Sequence, residues 1–155
     1  MHNREAPSVR RADSADAAQI ARLATELGYP STDRDIESRL EAMLPSSQHF
    51  IAVAEDADLV VGWVAVEARL LLVSGRKAEL MGLVVGSTAR RRGVGKALVL
   101  AAERWAMDQG FDAITVRSNI TRGESHTFYE RIGYTRHKTQ HVYSKALPAR
   151  LRRMG

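Results

Sequence analysis

Arg90-Arg91-Arg92-Gly93-Val94-Gly95-Lys96 gathers four cations and two glycines into seven consecutive residues. Glycines in the first turn of a helix let backbone N–H groups face an anion with no side chain in the way. The helix dipole adds about half a positive charge at that end. Three arginines beside it raise the local potential further, so the chemistry this segment fits is the grip of a phosphate or pyrophosphate. Two familiar phosphate loops are excluded. A dinucleotide fingerprint needs a third small residue where Leu98 stands. A Walker loop needs glycine at Arg90 and a hydroxyl at Ala97. What remains is Arg90-x-x-Gly93-x-Gly95, directly after the apolar run Leu83-Val84-Val85.

A second group lies downstream. Val116-Arg117-Ser118-Asn119 precedes Ser125-His126-Thr127-Phe128-Tyr129-Glu130-Arg131-Ile132-Gly133-Tyr134, a helix-like stretch rich in groups that move protons. Metal chemistry has no comparable constellation. There is no cysteine, which excludes thiolate ligands, disulfides and a cysteine nucleophile. His2, His49 and His126 stand apart, and His137 and His141 share a strand face without a third ligand.

The elements that must position these residues follow from periodicity. A short extended segment near Ser8–Arg11 leads to Asp13-Ser14-Ala15-Asp16, where Asp13 or Ser14 can cap a helix. Ile20, Leu23, Ala24 and Leu27 form its apolar stripe, and Gly28 with Pro30 ends it. Ile36, Leu40, Met43 and Leu44 mark a second helix that begins after Asp33 and stops at Pro45. Strands are expected at His49–Glu55, at Leu59–Leu72 with Gly62 as a bulge or close approach, and at Glu79–Val85. Asp56-Ala57-Asp58 and Ser74-Gly75-Arg76 are the turns between them. Val94, Leu98, Ala101, Ala102 and Trp105 make a third helix closed by Gly110. A strand at Ile114–Ser118, a helix at Glu124–Ile132 and a last strand at Thr135–Lys145 complete the chain. The order β-α-α-β-β-β-α-β-α-β predicts one α/β domain: a mixed sheet flanked by helices.

Together these features resemble the GCN5-related N-acetyltransferases (GNAT). The Arg90-x-x-Gly93-x-Gly95 turn is similar to that family's pyrophosphate loop, and Phe128-Tyr129-Glu130-Arg131-x-Gly133-Tyr134 to its second motif. The early helices and the Glu55–Asp58 hairpin also fall where that fold has them. The resemblance spans about residues 9–147, leaving 148–155 as a basic tail. It implies acetyl-CoA as cosubstrate, no metal, and direct attack of an amine on the thioester. It implies further that Leu83 offers an oxyanion donor in a splayed central strand, that Leu83, Val84 and Val85 line the pantetheine arm, and that residues 90–96 (Arg90, Arg91, Arg92, Gly93, Val94, Gly95, Lys96) hold the pyrophosphate. Asn119 would contact the arm from the other side. Tyr129 takes the position of the acid that protonates the leaving thiolate. Glu79 takes the position of a glutamate base, with a pKa expected to rise in an apolar strand; a structural glutamate paired with an arginine or at the strand edge is the equal alternative, and His126 and a water chain compete for the role of base. The acceptor side falls to Leu27-Gly28-Tyr29-Pro30 and Leu70–Gly75, and a small-molecule amine is expected ahead of an aminoglycoside or a protein lysine.

Composition bounds the partners. The chain has 155 residues, 45% hydrophobic and 26% charged, enough for one buried core. The formal net charge of +5 favours anionic ligands. A nucleic-acid module would need aromatics spread between its cations, whereas aromatics are only 6% and the arginines concentrate at one turn and in the tail (Arg150, Arg152, Arg153). No apolar run reaches the ~18 residues of a membrane span, and the first residues lack an apolar leader, so the cytoplasm is expected. Homodimers are common among members of the resembled family, and the resemblance leans that way.

Overall fold

The computed structural model describes residues 7–90, 92–117 and 123–150, without the side chains of 123–125. Arg91, Asn119 and residues 151–155 lie outside the described residues. The chain forms two compact units, one ending at Arg117 and one made of the residues that follow. Each is described by itself.

The first unit begins with β1 (Ser8–Arg11) and a 3-10 turn (Ser14–Asp16) that feeds α1 (Ala17–Glu26). The Asp13 carboxylate accepts from the Ala15 amide, and Asp16 accepts from the Asp13 amide, a reciprocal cap that starts the helix sharply. Helix α2 (Asp33–Met43) is capped by Thr32, whose hydroxyl accepts from the Asp35 amide. Strands β2 (His49–Asp56), β3 (Leu59–Leu71) and β4 (Gly75–Val85) are joined by tight turns. Ala57 and Asp58 both have positive φ, the left-handed pair a two-residue hairpin turn requires. Helix α3 (Val94–Asp108) and the short β5 (Ile114–Val116) close the unit.

The sheet order is β1-β2-β3-β4-β5, antiparallel through β4, with β5 parallel to β4. Strand alternation sends Ile51 and Val53 of β2 to one face, where they pack with Ile20, Leu23 and Leu40 of α1 and α2. On the other face Phe50 stacks on Trp105 of α3 at 5.8 Å. Gly62 makes that second layer fit. A Cβ there would stand 2.9 Å from the Val84 carbonyl oxygen and 3.1 Å from the side chains of Val94 and Leu98. Arg10 ties the first layer to the sheet edge, with nitrogens 2.7 Å from Asp16 and 2.6 Å from Glu55.

The second unit contains α4 (Gly123–Arg131), ended by Gly133 at φ 100°. The strand expected at residues 135–145 is not formed; that stretch carries no regular pairing, and Val142 and Tyr143 are exposed. A strand exists only with a hydrogen-bonded neighbour, and sequence periodicity does not supply one. The mixed α/β architecture stands without it.

Candidate active site

The central feature is the stretch of β4 beyond its pairing with β5. Among the described residues that parallel pairing consists of Ala78↔Ile114, Glu79↔Thr115 and Leu80↔Val116. Just beyond it, β4 carries an extra residue: Val66 of β3 faces Leu80 while Ala65 faces Gly82, leaving Met81 bulged between them. From Met81 to Val85 the strand keeps β3 on one side and has no strand partner on the other among the described residues. Leu83, Val84 and Val85 lie on this segment. Trp63 backs it, because a Cβ on Gly82 would fall 2.9 Å from the indole ring. Among the described residues the buried Trp63 indole nitrogen has no hydrogen-bond partner.

The Met81–Val85 segment runs into the glycine turn. Gly86 packs against Leu23 of α1, and the Ser87 amide and hydroxyl both donate to the Glu26 carboxylate at the end of α1. The hydroxyl bond, at 2.6 Å, is the shorter and helps hold that carboxyl below the usual glutamate range. Gly93, at φ 77°, takes the N-cap position of α3 in a left-handed conformation that other residues adopt only with strain. No side chain caps this helix. The first helical donor to find an internal acceptor here is Ala97, which bonds the Gly93 carbonyl. The amides of Val94, Gly95 and Lys96 are the first-turn donors that precede this bond and have no acceptor within the helix. They sit where a pyrophosphate was expected, and Arg90 is exposed beside them. The Arg92 guanidinium is 2.8 Å from Asp56 in the β2–β3 hairpin, an ion pair that ties the loop to that turn.

Glu79 departs from expectation in its pKa. It is buried, 4% exposed, and both its oxygens are taken: Arg69 of β3 donates to one at 2.6 Å and Arg117, just after β5, to the other at 2.5 Å. Burial is the strongest single influence on this carboxyl and pushes its pKa up. The two arginine hydrogen bonds and their charges together outweigh it, and the pKa lies below the usual glutamate value. The expected rise toward neutrality does not occur. Of the two readings of Glu79 in the sequence, the structural glutamate paired with arginine is the one this geometry fits; which arginines pair with it, Arg69 in β3 and Arg117 just after β5, sequence alone does not say.

In the second unit, Tyr129 stands on α4 with Phe128 and Tyr134 edge-on at 5.2 and 5.8 Å. Burial raises its pKa, so the hydroxyl stays protonated across the neutral range. His126 is half-buried on the same helix. Among the described residues no cluster of His, Asp or Glu could hold a metal ion, and no helix is long and apolar enough to cross a membrane.

Comparison with known proteins shows what the chain as a whole resembles. The sequence pattern of the acetyltransferase (GNAT) family matches residues 16–134, reaching across both units. The chain is 28% identical over 134 residues to aminoglycoside N(6')-acetyltransferase type 1 of Stenotrophomonas maltophilia, covering 83% of this chain and 86% of the relative. It is 31% identical over 137 residues to the protein of the same name from Klebsiella aerogenes, covering 83% and 90%. In fold it is similar to AAC(6')-Iy solved with the bisubstrate analogue CoA-S-monomethyl-acetylneamine, with a TM-score of 0.82 at 19% identity over 92% of this chain and all of that one. A family match over most of the chain, with a relative 31% identical over 83% of it, shows that the chain belongs to the acetyltransferase (GNAT) family.

Proposed function

We propose that this protein transfers the acetyl group of acetyl-CoA to a primary amine of a small molecule, by direct attack while both substrates are bound. The observation that carries this reading is the stretch Met81–Val85, paired among the described residues with β3 alone, leading to the first-turn amides of Val94, Gly95 and Lys96 behind the left-handed Gly93. Those amides would take the pyrophosphate, and the edge of β4 would pair with the pantetheine arm through Val85. Asn119 would meet the arm from the opposite side. The amine lone pair attacks the thioester carbonyl carbon, the C–S bond breaks, and the thiolate takes a proton. An amide donor at Leu83 aimed at the carbonyl oxygen is worth about 3 kcal/mol in the transition state. Tyr129 supplies the thiolate's proton, a role its protonated hydroxyl fits.

The proton lost by the acceptor goes to water in this reading. Glu79, ionised and fully engaged by two arginines, is a poor proton acceptor near neutrality. The relatives' names favour an aminoglycoside acceptor. The charge beside the start of the Met81–Val85 stretch favours a less cationic amine, because Arg69, Arg117 and Lys77 outnumber Glu67 and Glu79 there. The reading includes action in the cytoplasm, where acetyl-CoA is made and used.

Calorimetry with coenzyme A, then thiol release from acetyl-CoA with a panel of amino acids, amino sugars and an aminoglycoside, tests this reading. Uptake of one coenzyme A per chain and amine-dependent release support it; folded protein that takes up none refutes it. Gly95→Trp, which crowds the first turn of α3, should abolish uptake while the circular dichroism spectrum is kept.

A further inference from the structure

We propose that Trp63 is a positioning residue: its indole, seated on Gly82, fixes the tilt of the peptide plane that carries the Leu83 amide. The inference rests on the acetyl-CoA reading above and deepens it, since that reading does not say what aims the donor at the thioester oxygen. The Gly86 amide donates to the Val61 carbonyl of β3 at 2.8 Å. From Gly62↔Val85 to Ala65↔Gly82 the register is regular, so amides two residues apart share a side. Those of Gly82 and Val84 therefore face β3, and those of Leu83 and Val85 face away from it. An N–H lies in the plane that joins its residue to the one before, so the Leu83 amide turns with Gly82.

Trp63 bears directly on that plane. A Cβ on Gly82 would stand 2.9 Å from Cζ3 of the indole and 3.0 Å from Cη2, which puts the six-membered ring against the Gly82 backbone. In the register Trp63 stands opposite Val84 and reaches Gly82 diagonally. It also packs against the buried cluster that includes Ile20, Leu23 and Val53. The ring thus joins the layer under α1 to one peptide of β4. On the other side of Gly82 lies the bulged Met81, where the ladder to β3 is interrupted and the strand is less constrained. The indole supplies the restraint the bulge removes. Misplacing a reacting group or its donor by about 1 Å slows a reaction on the order of 100-fold.

The test combines Gly82→Ala and Trp63→Phe, singly and together. The methyl added by Gly82→Ala meets the outer ring of the indole, and a shorter phenyl ring leaves room for it. Among the described residues Trp63→Phe forfeits no hydrogen bond. Gly82→Ala should lower kcat about tenfold, while coenzyme A affinity, read by calorimetry, changes less than about threefold. The double variant should regain most of that loss, which a general loss of packing would not do. By NMR of isotope-labelled protein, the Leu83 amide should shift between the coenzyme A and acetyl-CoA complexes. Gly82→Ala should shrink this difference and the double variant restore it, a reading that needs no acceptor. Gly82→Ala at the wild-type rate and shift overturns the proposal; so does a double variant no better than Gly82→Ala, or a loss confined to coenzyme A affinity. If Gly82→Ala does not fold, Trp63→Phe and Trp63→Leu decide by the same readings. Lower kcat and a smaller shift difference at kept affinity support the proposal, and wild-type values overturn it. A wild type that takes up no coenzyme A overturns the acetyl-CoA reading itself, an outcome separate from any difference among the variants.

Discussion

Tyr129 and Glu79 entered as a pair of proton-handling residues, and their surroundings separate them. Burial against Phe128 and Tyr134 keeps the Tyr129 hydroxyl protonated, and a donor is what a departing thiolate needs. Tyr129→Phe should therefore lower kcat about 100-fold, the low end for a positioned acid, while KM for acetyl-CoA changes less than about twofold. Steady-state thiol release with a saturating amine measures both. The position of Tyr129 was legible because its motif is contiguous in sequence. The state of Glu79 was not, because its partners stand 10 and 38 residues away and meet it only when three strands assemble. A carboxyl in an apolar strand is expected to rise in pKa on burial alone; two guanidiniums reverse the sign. Arg92 likewise pairs with a residue distant in sequence, Asp56, 36 residues back.

At the scale of elements, the turn from β4 into α3 was the most readable part of the chain. Val94, Leu98 and Ala102 all face the core, as the helical stripe requires, and the left-handed Gly93 opens the helix. Gly93→Ala would force a side chain into that conformation at a cost of about 1–2 kcal/mol. A lower melting temperature together with weaker coenzyme A binding is the expected result, because the same distortion tilts the amides of the first turn. Calorimetry and a thermal melt read the two effects separately. Strand β4 begins at Gly75 instead of Glu79, since pairing with β3 continues through Arg76 and Lys77, which are polar and carry no strand signal of their own. The bulge at Met81 was invisible to periodicity, being a matter of register between two strands. The expected strand at residues 135–145 failed for the same reason: alternation describes a face and says nothing about the neighbour.

For the molecule as a whole, acid is the informative perturbation. Asp16 is buried, which raises its pKa, yet the hydrogen bonds from Arg10 and the Asp13 amide bring it below the usual aspartate value; Glu79 is lowered likewise. A carboxyl whose folded pKa lies below its unfolded one adds stability that is fully present above the unfolded value. That stability is lost as pH falls through the folded value. The melting temperature should thus drop as pH falls below about 4.5, the upper end of ordinary carboxyl pKa values. Asp16→Asn and Glu79→Gln, less stable at neutrality, should each show a shallower drop. The two tryptophans lie on opposite faces of the same sheet, Trp105 stacked with Phe50 and Trp63 against Gly82 at the bulge. In a Trp105→Phe variant all indole emission comes from the ring behind the Met81–Val85 stretch. Titrated coenzyme A should then quench or shift that emission in proportion to occupancy, giving the protein a built-in optical gauge that needs no acceptor amine.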